Sequence, residues 1–274
     1  GKGIHYRMHP QHVEVFTAAG IDHCSLANNH TLDWSRPGLL ETMETLRSAN
    51  IQFSGVGINK FKGGEPSVLQ RKKGRVLVFS VGSRTSGILL SWDAEEHRPG
   101  VNLLPGLDAG GIRMIKQQVE AEKQAGDVVV LSVHWGGNWG YAVSAQQRQF
   151  AQQLIEEAGA DVIYGHSSHH PMGIEVYNNK LIIYGAGDFI NDYEGISGHE
   201  QYRGELTLMY FPEFETGTGE LKALKMIPME IRKLRLNYVN RKDAKWLQNV
   251  MDRESGKLGA GVKIDGDNTL WLEW

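Results

Sequence analysis

The chain has 274 residues, 41% of them hydrophobic, which is enough apolar content for one large domain or two ordinary ones. Its formal net charge of −3 gives no electrostatic footprint for nucleic acid. The single cysteine, Cys24, excludes an internal disulfide framework, and no apolar run is long enough to span a bilayer.

The first part of the chain alternates between predicted helices and predicted strands. Helices are predicted where apolar residues share one helical face or where proline opens and glycine closes a segment, at residues 10–19, 37–49, 107–124 and 145–158. Strands are predicted at short apolar, often β-branched runs, at residues 21–27, 51–53, 68–70, 75–81, 127–133 and 162–164. Residues 84–105 show no periodicity and are predicted to form a long loop.

Strands dominate after residue 174. They are predicted at residues 174–177, 181–184, 205–211, 221–229 and 269–274, with one helix at 242–251. This order predicts an α/β fold in which sheets form a sandwich and helices lie outside. We count residues 1–274 as one domain, with 240–274 as a C-terminal extension packed on it.

Polar residues follow three of the predicted strands. The first strand runs into Asn29 and His30, the second delivers His134, and the third is followed by His166 and His169. If these strands lie side by side, their carboxyl ends place the five residues on one rim of a sheet. Imidazole nitrogen and amide oxygen together favour Zn, Mn or Fe over Ca, and two such ions can activate water for attack at phosphorus.

His134 and three further candidate residues each have a structural interpretation as well as a functional one. His134 alone is equally consistent with a hydrogen-bonded packing residue. Asp33 either orients a histidine of the site or is a solvated charge beside a helix. Asp188 either contacts the metal rim or substrate, or forms an Asx turn after a glycine pair. Trp135 either walls the pocket or packs in the core.

Four segments resemble a known family when they are taken together. They are DHCSLANNHTLD (22–33), VVVLSVHWG (128–136), GADVIYGHSSHHP (159–171) and KLIIYGAGDFI (180–190). In this order, over roughly residues 6–235, they resemble the CapA/PgsA family of capsule and poly-γ-glutamate synthesis proteins, which is related to the calcineurin-like metallophosphoesterases. The resemblance implies a four-layer α/β/β/α sandwich with a dinuclear metal site at the strand ends.

The resemblance also implies roles for individual residues. Asn29 resembles the bridging-site amide ligand, and His30 resembles the histidine that steadies the phosphoryl oxygen or protonates the leaving group. His134, His166 and His169 resemble metal ligands. The implied cofactors are two divalent metal ions, with Mn, Fe or Zn expected.

Three features depart from the family pattern. The usual GHHPH reads GHSSH here, and the usual GNF reads Gly187-Asp188-Phe189. Family members begin with a strand that ends in Gly-Asp and a later Asn-Leu-Glu, and neither motif precedes residue 22. We therefore expect an N-terminally truncated fragment that lacks on the order of 30 residues or more, about one βα unit, and an incomplete metal site.

The function implied by the resemblance is that of a metal-dependent phosphoesterase-like domain in capsule or poly-γ-glutamate biosynthesis. Its expected partners are an anionic or phosphorylated substrate and a membrane complex for polymer synthesis at the cell envelope, with no nucleic acid. Two alternatives remain open at this point. One is a non-catalytic accessory or assembly subunit of a polymer synthesis or export complex, and the other is a generic metallophosphoesterase that acts on small molecules.

Overall fold

Two sheets and the helices around them form an α/β sandwich in a computed structural model, which describes residues 3–191 and 196–274. The described strands are β1 (His23–Ser25), β2 (Gln52–Ser54), β3 (Val56–Gly57), β4 (Ser67–Arg71), β5 (Gly74–Gly82), β6 (Gly100–Val101), β7 (Val128–His134), β8 (Val162–His166), β9 (Ile174–Tyr177), β10 (Lys180–Ile183), β11 (Leu206–Phe214), β12 (Leu221–Arg232), β13 (Arg235–Tyr238), β14 (Gly261–Ile264) and β15 (Leu270–Glu273). The predicted α/β sandwich class is confirmed.

The helices fall largely where the apolar periodicity predicts them. The described α-helices are α1 (Glu14–Ala18), α2 (Ser35–Ser48), α3 (Lys60–Gly64), α4 (Ala109–Glu122), α5 (Ala145–Glu156) and α6 (Arg241–Gly256). Short 3-10 segments cover Pro10–Val13, Arg84–Ser86, Leu90–Trp92 and Glu200–Tyr202. No helix in residues 3–191 and 196–274 is both long and apolar enough to cross a bilayer.

The central sheet has six strands in the order β4-β5-β7-β8-β10-β9. Strands β5, β7, β8 and β10 are parallel, while β4 and β9 pair antiparallel at the two edges. Each edge strand thus pairs with its neighbour in the chain, so β4–β5 and β9–β10 are hairpins. Strand β7 lies in the interior of the sheet, as its nearly unbroken β-branched sequence predicts.

The two faces of the central sheet contact different layers. On β7, Val129 and Leu131 pack in one core together with apolar side chains of α4 and α5. Val130 lies on the other face and packs against the core shared with β11, β12 and α6. Because strand side chains alternate, Ser132 and His134 also point to that second face. The polar end of β7 therefore opens toward the interior of the sandwich.

The second sheet is antiparallel and is completed by the C-terminal part of the chain. Its strands follow the order β11-β12-β15-β14, and β13 pairs with β12. Residues 240–274 contribute α6, β14 and β15, so this segment supplies two strands of the sheet. Apolar side chains of α6, among them Leu247 and Met251, are fully buried in the core between the sheets.

Five short elements are absent from the sequence-based assignment: β3, β6, α3, β13 and β14. The prediction that residues 84–105 form only loop is wrong in part, because β6 and two 3-10 turns lie within it. The physical reason is length. Strands of two to four residues and a one-turn helix that ends in Gly63-Gly64 are too short to show a hydrophobic period.

The first predicted site strand does not lie beside the other two. β1 pairs in parallel with β2 in a separate two-stranded ribbon. The ribbon is joined to the central sheet by side chains: the hydroxyls of Ser54 and Ser80 are 2.7 Å apart, and Ser80 donates to Ser25 Oγ at 2.9 Å. Ser80 pairs in register with Ser132 of β7. The ribbon therefore covers the face of the sheet that carries His134.

Candidate functional site

His134 and His166 meet at the carboxyl ends of two neighbouring parallel strands. They are register partners in the β7–β8 pair, so their side chains leave the same face of the sheet. Their ring centroids are 4.9 Å apart, and the two Nδ1 atoms are 2.9 Å apart. Residues separated by 32 positions are thus brought into direct contact by strand pairing.

A serine on β7 fixes the orientation of the second ring. Ser132 Oγ lies 2.8 Å from His166 Nε2, while His166 Nδ1 faces His134. Burial lowers the pKa of His166 to about 4, so its imidazole is neutral at pH 7. A neutral ring that has partners at both nitrogens donates at one and accepts at the other. His166 is consequently in the neutral form, which is the form of imidazole that can bind a metal ion.

His169 is held by a carboxylate from another strand end. Its Nδ1 lies 3.0 Å from both carboxylate oxygens of Asp188, and its main-chain amide donates to the Asn138 carbonyl at 3.0 Å. Asp188 also accepts from Asn191 Nδ2 at 3.1 Å. Gly187, the residue before the acid, has a φ of +81°. Asp188 thus contacts His169, one of the residues predicted on the rim, and its contact with a metal or substrate stays a prediction.

His30 is paired with a buried carboxylate on its own loop. Its Nδ1 is 2.6 Å from Asp33 Oδ2, and the side chain of Asp33 is fully buried. Asp33 Oδ2 also accepts from the Tyr6 main-chain amide at 2.9 Å, and Asn28 Oδ1 accepts from the His30 amide at 2.8 Å. Asp33 thus orients His30 and is not a solvated charge. A carboxylate can only accept a hydrogen bond, so His30 Nδ1 is the donor in this contact.

Asn29 reaches the same end of the central sheet through a connecting loop. A Cβ added to Gly87 would lie 3.7 Å from Asn29 Nδ2, which places the two residues next to each other. The loop that contains Gly87 is bonded to β7, because the Ser86 hydroxyl and the Ser83 amide donate to the His134 carbonyl at 3.0 Å and 2.8 Å. The Asn29–His30 loop is therefore near the His134 end, although β1 lies outside the central sheet.

Trp135 lies on the opposite side of the sheet from its neighbour His134. It is only 2% exposed and packs in the core formed with α4 and α5. Its indole Nε1 donates to the Tyr184 carbonyl at 2.9 Å. This placement corresponds to the packing alternative. The tryptophan stabilises the end of β7 without lining the space in front of the imidazoles.

An aromatic cluster next to His169 was not expected from the sequence. Its members are Trp139, Tyr141, His170, His199 and Tyr202. His170 is fully buried, accepts from the Gly140 amide at 3.2 Å and bonds the Pro171 carbonyl at 3.1 Å through Nδ1. The ring of His199 stacks on Trp139 at 4.2 Å. Trp139 and Tyr141 lie two residues apart in the sequence, whereas His170, His199 and Tyr202 come from distant parts of the chain.

The imidazole pair supplies nitrogen atoms of the kind that bind divalent ions, but its present spacing is that of a hydrogen bond. The Nδ1 atoms of His134 and His166 are 2.9 Å apart, whereas two tetrahedral ligands with metal–nitrogen bonds of about 2.0–2.1 Å are about 3.3 Å apart. Within residues 3–191 and 196–274, no group of three or more His, Cys, Asp or Glu side chains is arranged to hold a metal ion. The described side chains therefore do not themselves form a dinuclear centre, and metal binding stays a prediction.

Residues 1–193 match the family described as bacterial capsule synthesis protein PGA_cap, which covers well over half of the chain. The chain belongs to this family, and the resemblance to CapA/PgsA proteins is confirmed. It is therefore a member of a family of proteins for capsule and polyglutamate synthesis.

Relatives with curated names agree with this assignment. The chain is 41% identical over 271 residues to a probable polyglutamine synthesis accessory protein of Mycobacterium tuberculosis, covering 98% of this chain and 71% of that protein. It is 30% identical over 192 residues to the capsule biosynthesis protein CapA of Bacillus anthracis, covering 70% and 45%. It is 30% identical over 222 residues to the PGA biosynthesis protein CapA of Bacillus subtilis, covering 81% and 54%. The chain thus spans about half the length of the two Bacillus relatives.

Proposed function

We propose that this chain is a metal-dependent phosphoesterase-type domain of a protein for capsule or poly-γ-glutamate synthesis. The observation that carries the proposal is the contact between His134 and His166 at the carboxyl ends of adjacent parallel strands. In this proposal His134, His166, His169 and Asn29 bind two divalent ions, with Mn, Fe or Zn expected. Such ions supply Lewis-acid polarisation of a phosphoryl oxygen and lower the pKa of bound water.

The protein's own groups position the reacting atoms in this proposal. Ser132 holds the His166 ring, and Asp188 holds the His169 ring, in single orientations. Asp33 accepts from His30 Nδ1 and stabilises the doubly protonated ring, in which Nε2 also carries a proton and can donate it to the departing oxygen. Each supporting side chain acts on one histidine, which is how outer groups tune metal and acid–base sites.

The proposed substrate is an anionic or phosphorylated compound handled during surface-polymer synthesis at the cell envelope, together with a membrane complex. The names of the relatives from Mycobacterium and Bacillus support the polymer-synthesis context. Three imidazoles, together with the amide of Asn29, support a phosphoryl group as the reacting centre, because metal ions held by such ligands stabilise its charge.

The test is to replace His134 or His166 with alanine in the natural full-length protein and to measure metal content and phosphodiester hydrolysis. Loss of an ion ligand should reduce hydrolysis of bis(p-nitrophenyl) phosphate by a factor on the order of 100 or more. His97→Ala is the matched control, since the His97 side chain is 92% exposed and should leave both readouts unchanged. Circular dichroism verifies folding, and full activity in both His134→Ala and His166→Ala would refute the assignment.

A second candidate function is a non-catalytic accessory subunit of the same synthesis machinery. It is favoured by the finding that residues 3–191 and 196–274 contain no ready-made group of three metal-binding side chains. It also agrees with the accessory role named for the mycobacterial relative. If the unmodified protein binds no metal and hydrolyses no phosphoester, while His134→Ala still supports polymer production in cells, the accessory function is correct. Rapid hydrolysis of small phosphoesters without any effect on polymer production would instead indicate a generic phosphoesterase.

A further inference from the structure

The β1–β2 ribbon and strand β5 of the central sheet approach each other most closely at a glycine. Gly55, which follows β2, has a φ of +88°, and a Cβ built on it would lie 2.6 Å from Ala27 Cβ and 2.7 Å from Ser80 Cβ. Ala27 belongs to the segment after β1, and Ser80 belongs to β5. A side chain at position 55 would therefore push the ribbon and β5 apart.

A chain of hydrogen bonds joins the ribbon and β5 at the same place. Ser80 donates to Ser25 Oγ at 2.9 Å, so it accepts from Ser54 Oγ, which is 2.7 Å away. Because Ser54 has then used its only proton, it accepts from His23 Nε2 at 3.0 Å. Ser54 and Ser80 are 2% and 1% exposed, so water does not compete for these bonds. We call Ser25, Ser54 and Ser80 the serine joint.

Asn102 connects the same two elements through its main chain and its side chain. Its amide donates to the Gly55 carbonyl at 2.8 Å, and its carbonyl accepts from the Gly82 amide at 3.0 Å. Its Nδ2 donates to the Ser80 carbonyl at 3.1 Å. Since Asn102 is only 7% exposed, the ribbon and β5 are held together by buried, directional bonds.

On the sheet side, the serine joint lies next to the imidazole pair. Ser80 is the register partner of Ser132, whose hydroxyl is 2.8 Å from His166 Nε2. Gly82, two residues further along β5, is the register partner of His134. Register partners in parallel strands have their side chains on the same face, so Ser80 lies beside Ser132 on the face that carries the imidazoles.

On the ribbon side, the serine joint leads to the other part of the candidate site. Ser25 precedes Asn29 by four residues and His30 by five. Hydrogen bonds within residues 26–31 tie this loop to the end of β1. The contact between Ser25 and Ser80 therefore sets where Asn29 and His30 lie relative to the imidazole pair.

We propose that Ser80 is a positioning residue for the candidate site. Its hydroxyl fixes the ribbon on the central sheet and thereby sets the separation between the Asn29–His30 loop and the His134–His166 pair. A hydrogen bond constrains direction as well as distance, whereas an apolar contact of the same size would let the ribbon slide along β5. The effect of Ser80 on catalysis rests on the proposed function, but its effect on the placement of the loop does not.

The test compares Ser80→Ala with Ser255→Ala as the matched control. Ser255 is a fully buried serine on α6, and its hydroxyl accepts from the Ile174 amide at 3.0 Å. Ile174 begins β9, at the edge of the central sheet farther from the ribbon. Each variant loses a buried hydroxyl with its hydrogen bonds, so the urea midpoint of unfolding should fall in both.

The placement of the loop is measured by NMR on selectively labelled protein without added metal. Asn29 Nδ2 lies 3.7 Å from the position of a Cβ built on Gly87, where glycine carries a hydrogen atom. The unmodified protein and Ser255→Ala should show a nuclear Overhauser contact between the Asn29 side-chain amide and this hydrogen atom. Ser80→Ala should lose it. Ser25→Ala removes the acceptor on the ribbon and should lose it too, so it decides the question if Ser80→Ala does not fold.

The effect on catalysis is measured in the natural full-length protein with manganese added. Ser80→Ala should lower kcat for bis(p-nitrophenyl) phosphate about 10-fold, because a small misplacement of reacting groups slows the chemical step. Ser255→Ala should keep kcat. Ser80→Cys retains a weak donor at the same position and should recover part of the loss.

The two readouts separate failure of this proposal from failure of the proposed function. If Ser80→Ala and Ser25→Ala keep the contact between Asn29 and Gly87, Ser80 does not position the loop. If Ser80→Ala and Ser255→Ala lower kcat equally, Ser80 acts only through stability, and the proposal is likewise wrong. If the unmodified protein hydrolyses no phosphodiester, the proposed function fails, while the NMR contact still decides whether Ser80 sets the position of Asn29.

Discussion

Strands β7 and β8 have acidic residues at their amino ends and histidines at their carboxyl ends, and the two sets of side chains have different partners. Each strand is preceded by a buried acid, Asp127 or Asp161, and ends in a histidine, His134 or His166. At the amino ends, each carboxylate has a cation and a main-chain amide. At the carboxyl ends, the imidazoles contact each other and Ser132. The first arrangement connects elements of the fold, while the second belongs to the proposed site.

The acids at the amino ends are satisfied in detail. Asp161 accepts from Lys180 Nζ at 2.5 Å and from the Val129 amide at 2.9 Å, which joins β10, β8 and β7. Asp127 accepts from Arg75 at 2.9 Å and 2.5 Å and from the Gln124 amide at 2.7 Å. Buried charges with such partners specify packing, since removal of one partner leaves the other uncompensated. We therefore assign stability to this end and function to the other.

Asp161→Ala should produce the largest effect and should change only stability. Lys180 would lose its carboxylate partner and the Val129 amide would lose its acceptor, so the free energy of unfolding should fall by about 3–5 kcal/mol. Urea denaturation measures the change. Asp161→Asn is the control, because an amide oxygen can still accept from Val129 and should recover part of the loss. If Asp161→Ala lowers the free energy of unfolding by less than about 1 kcal/mol, the acids at the amino ends of the strands do not have the stabilising role assigned to them.

Asp33→Asn should produce a smaller effect and should change only activity. The amide cannot hold the proton on His30 Nδ1 as a carboxylate does, so proton donation from His30 Nε2 is weakened. We expect phosphodiester hydrolysis to fall about 10–100-fold, with metal content unchanged. Kinetics and elemental analysis together provide the measurement. Unchanged kinetics would mean that Asp33 contributes only to the structure, as Asp127 and Asp161 do, and not to activity.

The smallest expected effect is a change in how the free energy of unfolding depends on pH, and it comes from Asp127. The hydrogen bonds from Arg75 hold the pKa of Asp127 below its ordinary value. The folded state therefore binds this proton less readily than the unfolded chain, and the stabilisation is present above the ordinary pKa and is lost as pH falls through the folded value. Urea titrations from pH 6 to pH 3 should show a shallower acid decline for Asp127→Asn than for the unmodified protein. Identical slopes would contradict the prediction.

Much of the central sheet could be predicted because its signals are local. The β-branched run before His134 and the apolar run before His166 predict strands that end in imidazoles, and both are present. His30 and Asp33 are only three residues apart, so their proximity is local. The sequence did not show, however, that the side chain of Asp33 is buried. The face to which Trp135 points depends on which layer covers each side of β7, and no pattern near Trp135 reports that.

Other features required contacts between distant segments. The separate β1–β2 ribbon and the Asp188–His169 contact each join parts of the chain that are far apart in sequence. The short strands β13 and β14 exist because their partners, β12 and β15, supply their hydrogen bonds. Strands of four residues have little preference of their own, so pairing decides them.

The sequence by itself determined the class of fold, most of the longer helices and strands and the family, because hydrophobic periods and short motifs are properties of neighbouring residues. The tertiary structure alone decided that β7 and β8 are adjacent and in register. This pairing brings the Nδ1 atoms of His134 and His166 to within 2.9 Å of each other. It also decided that the side chain of Asp33 is buried. These outcomes depend on hydrogen bonds and packing between segments separated by tens of residues, which no local pattern encodes.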